Sequence, residues 1–155
     1  MTNDFSLSSI NIPYGVLHDQ SLNKVKQEKN KIIFTFDIEL YPQNYTDIDF
    51  YNRYKDYKHC DMIIELDEEP INYFQFTSCP KANGRFKGIS FNREKFIDVI
   101  NNSCATFVEC SATYNELTIE LCINFYNAHK KYKKYRKYDM CNITLNAKTV
   151  CWNWY

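Results

Sequence analysis

The chain of 155 residues has only three glycines and four prolines, which excludes a collagen-like repeat and a Pro/Gly-rich disordered chain. It has no excess charge of either sign, because 19 lysines and arginines balance 19 acidic residues. We therefore do not expect a protein that is cationic over its whole surface, although a local basic patch is compatible with this balance. The length predicts one domain that spans residues 1–155.

Long apolar runs are also absent, and no stretch approaches the roughly 20 residues that a membrane-spanning helix needs. The first residues lack the basic start and the apolar stretch of a secretory signal. The seven cysteines include no CxxC pair and several lie in alternating patterns, which indicates reduced, structural thiols. Together these features predict a cytoplasmic protein that does not enter a membrane.

Sequence motifs for common chemistries are missing as well. No GxSxG, GxxxxGK[ST] or GxGxxG element occurs, and glycine is too scarce for such loops. The steps His18-Asp19 and His59-Cys60-Asp61 lack the ligand spacing typical of zinc sites. We therefore predict no catalytic residue, no metal and no cofactor. An enzyme whose site is assembled from scattered residues remains a third alternative.

Aromatic residues are abundant, with 13 tyrosines and 11 phenylalanines, and they suit half-buried strands. The clearest alternation of apolar and polar residues lies at 31–41, and with residues 21–27 it predicts a hairpin. A second hairpin is predicted from 106–112 and 117–125. Further strands are predicted at 60–66, 71–77, 85–90, 138–145 and 149–154.

One amphipathic helix is predicted near 92–101, where Asn92 can cap the first turn and apolar residues follow at helical spacing. The segment 45–59 has no clear period and is either a loop or an irregular helix. The fold class is therefore α+β, with a mainly antiparallel twisted sheet or a two-sheet sandwich and one helix. The predicted core residues are Ile32, Phe34, Phe36, Ile38, Leu40, Ile64, Phe96, Val99, Ile119, Leu121, Ile123 and Trp152.

An acidic cluster lies between two predicted strands, just before Pro70. It is either a solvated turn or an anionic surface that meets a basic partner or mimics phosphates. Carboxylates adjacent in a loop do not define the fixed separation that acid–base catalysis needs. The candidate partner-binding residues are Glu65, Asp67, Glu68 and Glu69.

A basic segment, residues 129–138, interleaves lysines and one arginine with tyrosines. Cations bind phosphates and tyrosines can stack on bases, so this segment is the alternative candidate for nucleic-acid binding. The other interpretations are a protruding connection that its charges keep soluble, which the sequence favours, and a contact for an acidic protein. The candidate residues are Lys130, Lys131, Tyr132, Lys133, Lys134, Tyr135 and Arg136.

The stretch Tyr14-Gly15-Val16-Leu17-His18-Asp19-Gln20-Ser21-Leu22, followed by the strand 32–40, resembles the opening of small bacterial β-rich proteins. Their signature is Leu-His-Asp, a residue that is commonly Ser, one further residue and Ile/Leu; this chain has Gln20 at the Ser position. Some of these families are assigned as immunity proteins of polymorphic-toxin systems. The resemblance implies a non-catalytic binding protein. Our preferred hypothesis is therefore an interaction module of the immunity type, which binds a protein partner such as a toxin by charge and aromatic complementarity.

Overall fold

The computed structural model describes residues 2–6, 14–68, 72–78, 87–113 and 116–155; of residues 2–6, 14 and 15 it describes the backbone only. Most of this chain is antiparallel sheet, with a few short helices, which confirms the predicted α+β class. The strands are β1 (Thr2–Ser6), β2 (Ser21–Glu28), β3 (Lys31–Asp37), β4 (His59–Leu66), β5 (Asn72–Thr77), β6 (Gly88–Phe91), β7 (Cys104–Thr113), β8 (Glu116–Asn124) and β9 (Met140–Trp154).

The helical elements are short and lie in the connections between strands. The α-helices are α1 (Tyr14–Leu17), α2 (Ile48–Tyr54) and α3 (Arg93–Ile100). Two 3-10 helices add Pro42–Asn44 and Lys130–Tyr135. The sequence did not predict α1, β1 or the second 3-10 helix, and α2 resolves the segment 45–59 in favour of a helix.

All nine strands belong to one sheet, in the order β4-β3-β2-β7-β8-β9-β5-β6, with β1 paired to β9. Strand β4 also pairs with β9, so the path β4-β3-β2-β7-β8-β9 closes into a ring of six strands. Every pairing is antiparallel, in keeping with the short connections between consecutive strands. The described strands therefore form one sheet, and the two-sheet sandwich, which was the alternative prediction, does not form.

Strand β9 merges two predicted strands, 138–145 and 149–154, into one. Its pairing with β4 shifts by one residue beside Lys148, since Leu66 faces Ala147 whereas Glu65 faces Thr149. An extra residue of this kind is a β-bulge, and it reverses which positions point inward. The inward positions are odd-numbered up to Ala147 and even-numbered from Val150. The bulge thus keeps apolar side chains inside along the whole strand.

Helix α3 forms as predicted. The Asn92 side chain accepts the Lys95 amide at 2.8 Å and caps the first turn. Phe96, on the inward face of the helix, stacks on Phe74 of β5 with 4.3 Å between ring centroids. The helix therefore covers the sheet near β5.

The core lies inside the ring and beneath α3. Of the predicted core residues, only Leu40 is half-buried, because β3 ends at Asp37 and the predicted strand 31–41 is shorter than expected. The main chain leaves the sheet at Ile38, whose amide donates to the carbonyl of Lys58 at 2.8 Å. This departure turns residues 39–45 away from β3 and shapes one side of the candidate site.

Candidate functional site in an acidic concavity

A concavity of about 700 Å³ lies between the α1–β2 connection and the chain that leaves β3. One side is formed by residues 18–21 and the other by residues from Asp37 to Tyr45. We call it the acidic concavity because three carboxylates line it, those of Asp19, Asp37 and Glu39.

Gln20 fastens the two sides of the acidic concavity together. Its buried side-chain oxygen accepts the Glu39 amide at 2.7 Å, and its side-chain nitrogen donates to the Glu39 carbonyl at 3.3 Å. The main chain of Gln20 also accepts the Phe107 amide at 3.0 Å, and the Asp19 amide donates to the Phe107 carbonyl at 2.9 Å. The first side is thus tied to β7 by main-chain hydrogen bonds, and the Gln20 side chain ties it to the main chain of Glu39 on the other side.

The turn at Asp19 gives the His18-Asp19 step a structural role. Asp19 has a φ of 65°, a left-handed conformation that Asp tolerates better than most residues. Its carboxylate lies 3.0 Å from Nδ1 of His18, and both side chains are exposed. The step therefore turns the chain into β2 and at the same time presents a carboxylate at the mouth of the concavity.

The other two carboxylates are held by hydrogen bonds from the sheet and from a tyrosine. Asp37 accepts from the Asn23 side-chain nitrogen at 2.9 and 3.0 Å and lies 2.9 Å from Nδ1 of His59. Glu39 accepts the hydroxyl of Tyr41, and this bond raises the pKa of Tyr41. Asp37 and Glu39 are thus each hydrogen-bonded to side chains that carry no permanent charge.

Permanent cations pair with carboxylates elsewhere in the described chain but not here. Lysines lie within 4.0 Å of Glu28, Asp98 and Glu68. Among the described residues, no lysine or arginine forms such a pair with Asp19, Asp37 or Glu39. Since charges of one sign in a cleft focus the field, the acidic concavity attracts cations.

Two tyrosines give the acidic concavity an aromatic wall. Tyr45 packs against Phe50 and Tyr51, with centroid distances of 6.1 and 5.8 Å, and burial raises its pKa. Helix α2 carries both of these partners and is capped by Asp47, whose carboxylate accepts the Asp49 and Phe50 amides. Tyr41 is 44% exposed. The packed Tyr45 ring and the exposed Tyr41 ring lie beside carboxylates. This arrangement suits a cationic side chain, because both carboxylates and aromatic faces attract cations.

The tight His59-Cys60-Asp61 step does not bring its polar groups together. His59 faces Asp37, whereas Asp61 accepts the Thr35 hydroxyl at 2.6 Å and the Tyr155 hydroxyl at 3.4 Å. Cys60 points into the core, where burial raises its pKa. Within the described ranges, no group of three or more His, Cys, Asp or Glu side chains is arranged to hold a metal ion.

The predicted acidic cluster lies at the opposite end of β4 from His59, roughly 20 Å along the strand. Glu65 is half-buried and accepts the Asn30 side-chain nitrogen at 3.2 Å. The Asp67 amide donates to the Asn146 carbonyl, and Glu68 is exposed with its carboxylate 3.7 Å from Nζ of Lys148. Glu69 lies outside the described residues. None of the three described members lines the acidic concavity.

The basic segment forms a 3-10 helix instead of a simple connection between strands. Tyr132, Tyr135 and Tyr138 are buried in the core, so the expectation that these rings stack on bases is wrong. The Tyr132 hydroxyl donates to Asp98 at 2.6 Å, and the Arg136 guanidinium donates to the Phe125 and Tyr126 carbonyls. The lysines of the segment are all exposed, and Nζ of Lys131 lies 4.0 Å from Asp98. They are Lys130, Lys131, Lys133, Lys134 and Lys137.

Sequence reasoning missed the residues of the acidic concavity other than the His18-Asp19 step. Gln20, Glu39, Tyr41 and Tyr45 come from separate stretches that no local pattern connects. One available signal was the polar, aromatic and aperiodic stretch around Tyr45, because such segments commonly carry binding residues on loops.

Comparison of the chain with models of known protein families, with curated proteins and with solved structures finds no match. Within the described part of the chain, no helix has the length and apolar character required to cross a bilayer.

Proposed function

We propose that the protein is a non-catalytic interaction module that binds a basic surface of a protein partner in the acidic concavity. The observation that carries this proposal is the set of carboxylates of Asp19, Asp37 and Glu39, which face one concavity without a permanent cation among the described residues. A partner lysine or arginine supplies that charge and packs its stem on Tyr41 and Tyr45. Charge then speeds the encounter, and the aromatic wall contributes affinity.

The biological role that best fits this chemistry is an immunity-type inhibitor that acts in the bacterial cytoplasm on a toxin. The resemblance of residues 14–22 to immunity-like proteins supports this role. Cys60, Cys104, Cys122 and Cys141 are free thiols, which is what a reducing compartment favours.

A defined cationic probe tests the proposed site. We expect a labelled oligo-arginine peptide to bind the wild type at low salt, and binding to weaken as salt rises. The variant D19N/D37N/E39Q should lose most of this binding, and asparagine suits the left-handed turn at position 19. The matched control E65Q/D67N/E68Q removes the same number of charges at the other end of β4. Equal loss in both variants, with unchanged thermal unfolding, would show general electrostatic attraction and overturn the proposed site.

Co-purification from a native host tests the role. A partner recovered at low salt with the wild type should be lost with D19N/D37N/E39Q and kept with the control variant. If gentle, low-salt purification recovers no protein partner, the interaction role is contradicted even where the peptide binds.

The exposed lysines of the basic segment support a second candidate function, which is binding to nucleic-acid phosphates. With the tyrosines buried, this binding would be purely electrostatic. Binding of a single-stranded oligonucleotide at low salt should then disappear when Lys130, Lys131, Lys133, Lys134 and Lys137 become glutamine. If the wild type does not bind the oligonucleotide in low salt, this candidate is rejected.

A further inference from the structure

Three sulfur-containing side chains lie on the outer face of the sheet, and none of them lines the acidic concavity. Cys122 of β8 and Met140 of β9 are direct partners across the two strands, and their sulfur atoms lie 3.8 Å apart. Cys122 is exposed and Met140 is half-buried, so solvent reaches the pair.

Cys104 of β7 is the third member. It pairs with Asn124, two residues from Cys122, so that Cys104 and Cys122 point to the same face as diagonal neighbours. Both thiols line a second concavity of about 250 Å³ between the start of β7 and the end of β8. We call Cys104, Cys122 and Met140 the sulfur cluster.

The spacing of the sulfur cluster does not suit a disulfide. Diagonal neighbours across an antiparallel pair have Cα atoms roughly 7–8 Å apart, beyond the separation of about 7 Å that a disulfide tolerates. A shared metal ion relaxes this limit, because two metal–sulfur bonds of about 2.3 Å span 3.8 Å at a bond angle of roughly 110°. Cys122 and Met140 therefore already stand at the separation of two ligands of one ion.

We propose that the sulfur cluster is a binding site for monovalent copper, with Cys122 and Met140 as the main ligands and Cys104 as the third. Thiolate and thioether sulfur are soft ligands, and soft ligands select Cu(I) over hard cations such as magnesium and calcium. Each thiol that binds gives its proton to solvent, so that a Cys–SH group and Cu(I) yield a Cys–S–Cu bond and one proton. No electron is transferred in this step.

An anaerobic titration with Cu(I) alone, in competition with a chromogenic Cu(I) chelator, tests this proposal. The wild type should withhold one Cu(I) per chain from the chelator. C122S should abolish this retention, and M140L should weaken it by about tenfold or more. C104S should weaken it less than C122S. X-ray absorption of the loaded protein should show sulfur as the neighbours of copper.

C151S is the matched control, because Cys151 also lies on β9, eleven residues (151 − 140) beyond Met140 and away from the sulfur cluster. It should retain copper as the wild type does. The substituted positions of the cluster are not in the core, so thermal unfolding should stay close to that of the wild type and a binding loss can be assigned to the ligand. Retention of copper by C122S, equal loss in C151S, or no retention by the wild type would each overturn the proposal.

Discussion

The acidic concavity and the basic segment contain the same two kinds of side chain, charged groups and tyrosines, but they form opposite surfaces. In the acidic concavity the carboxylates converge and Tyr41 stays open to solvent. In the basic segment the lysines are exposed while Tyr132 and Tyr135 are buried. Composition therefore does not decide whether charges and aromatic rings form a binding surface. The path of the main chain decides it.

The tyrosines of the basic segment are buried because of the period of its 3-10 helix. A 3-10 helix has three residues per turn, so side chains three apart lie on one face. Tyr132 and Tyr135 have this spacing within the helix, and Tyr138 continues it just beyond. The three rings consequently enter the core together, where Tyr135 contacts Phe76, Phe91 and Phe125.

The largest expected effect compares a tyrosine from each region. Tyr135→Ala should lower the free energy of unfolding by about 3–5 kcal/mol, because it leaves a cavity among packed aromatic rings. Tyr41→Ala should change it by no more than about 0.5 kcal/mol, because the ring is exposed at the rim of the concavity. Urea denaturation of both variants measures the difference. Similar losses would contradict the contrast between a buried and an open aromatic group.

The next effect concerns the fastening of the acidic concavity. Gln20→Ala should destabilise the protein by about 1–3 kcal/mol, because it leaves the Glu39 main-chain groups without their partner. It should also weaken binding of the oligo-arginine peptide, since Glu39 is then free to move. Gln27→Ala is the control, because Gln27 makes only an exposed bond to the Lys29 carbonyl. If Gln27→Ala lowered stability and peptide binding by similar amounts, the proposed role of Gln20 in holding the concavity would be contradicted.

A smaller effect should appear in the basic segment as a change in pH dependence. Hydrogen bonds from Tyr132, and then from Lys95, hold the pKa of Asp98 below its ordinary value. Because the pKa is lower in the folded state, this stabilisation is present above the pKa of Asp in the unfolded chain. It is lost as pH falls through the folded pKa.

Tyr132→Phe should therefore cost about 1 kcal/mol at neutral pH and less in acid. Denaturation series from neutral to acidic pH should converge for the variant and the wild type. Parallel curves would show that the hydroxyl acts on stability without acting on the Asp98 carboxyl.

The smallest expected effect is that of an outward lysine. Lys134→Gln should change stability by no more than about 0.5 kcal/mol, because Nζ lies over the Tyr135 ring only at an exposed edge. Binding of the oligo-arginine peptide should stay as in the wild type. A loss of peptide binding in this variant would place the peptide outside the acidic concavity.

Local periodicity was sufficient to predict most of the sheet and the helix at Asn92, because alternation and capping act over neighbouring residues. It missed the continuity of β9, since the bulge beside Lys148 reverses the alternation and looks like a break between two strands. It also missed the burial of Tyr132 and Tyr135, although their spacing of three was visible. The basic segment was interpreted as a row of charges, and its tyrosines were not tested for the period of a helix.

The candidate site was less accessible to sequence reasoning than the fold. Asp19, Gln20 and Glu39 meet because the main chain leaves the sheet at Ile38 and because Gln20 bonds across the gap. Both are tertiary contacts between segments about twenty residues apart, and neither has a local signature. The sequence highlighted Glu65, Asp67 and Glu68 instead because their charges are close together along the chain, which does not show that they share a binding surface.

Strand β9 pairs with β1, β4, β5 and β8, and all four precede it in the chain. During translation these segments leave the ribosome before the strand that joins them has been made. Their edges and apolar faces therefore stay exposed until β9 emerges. Pairings between segments that are distant in the chain also form slowly. A chaperone that shields nascent chains would consequently matter more to this protein than to a helical protein of equal length.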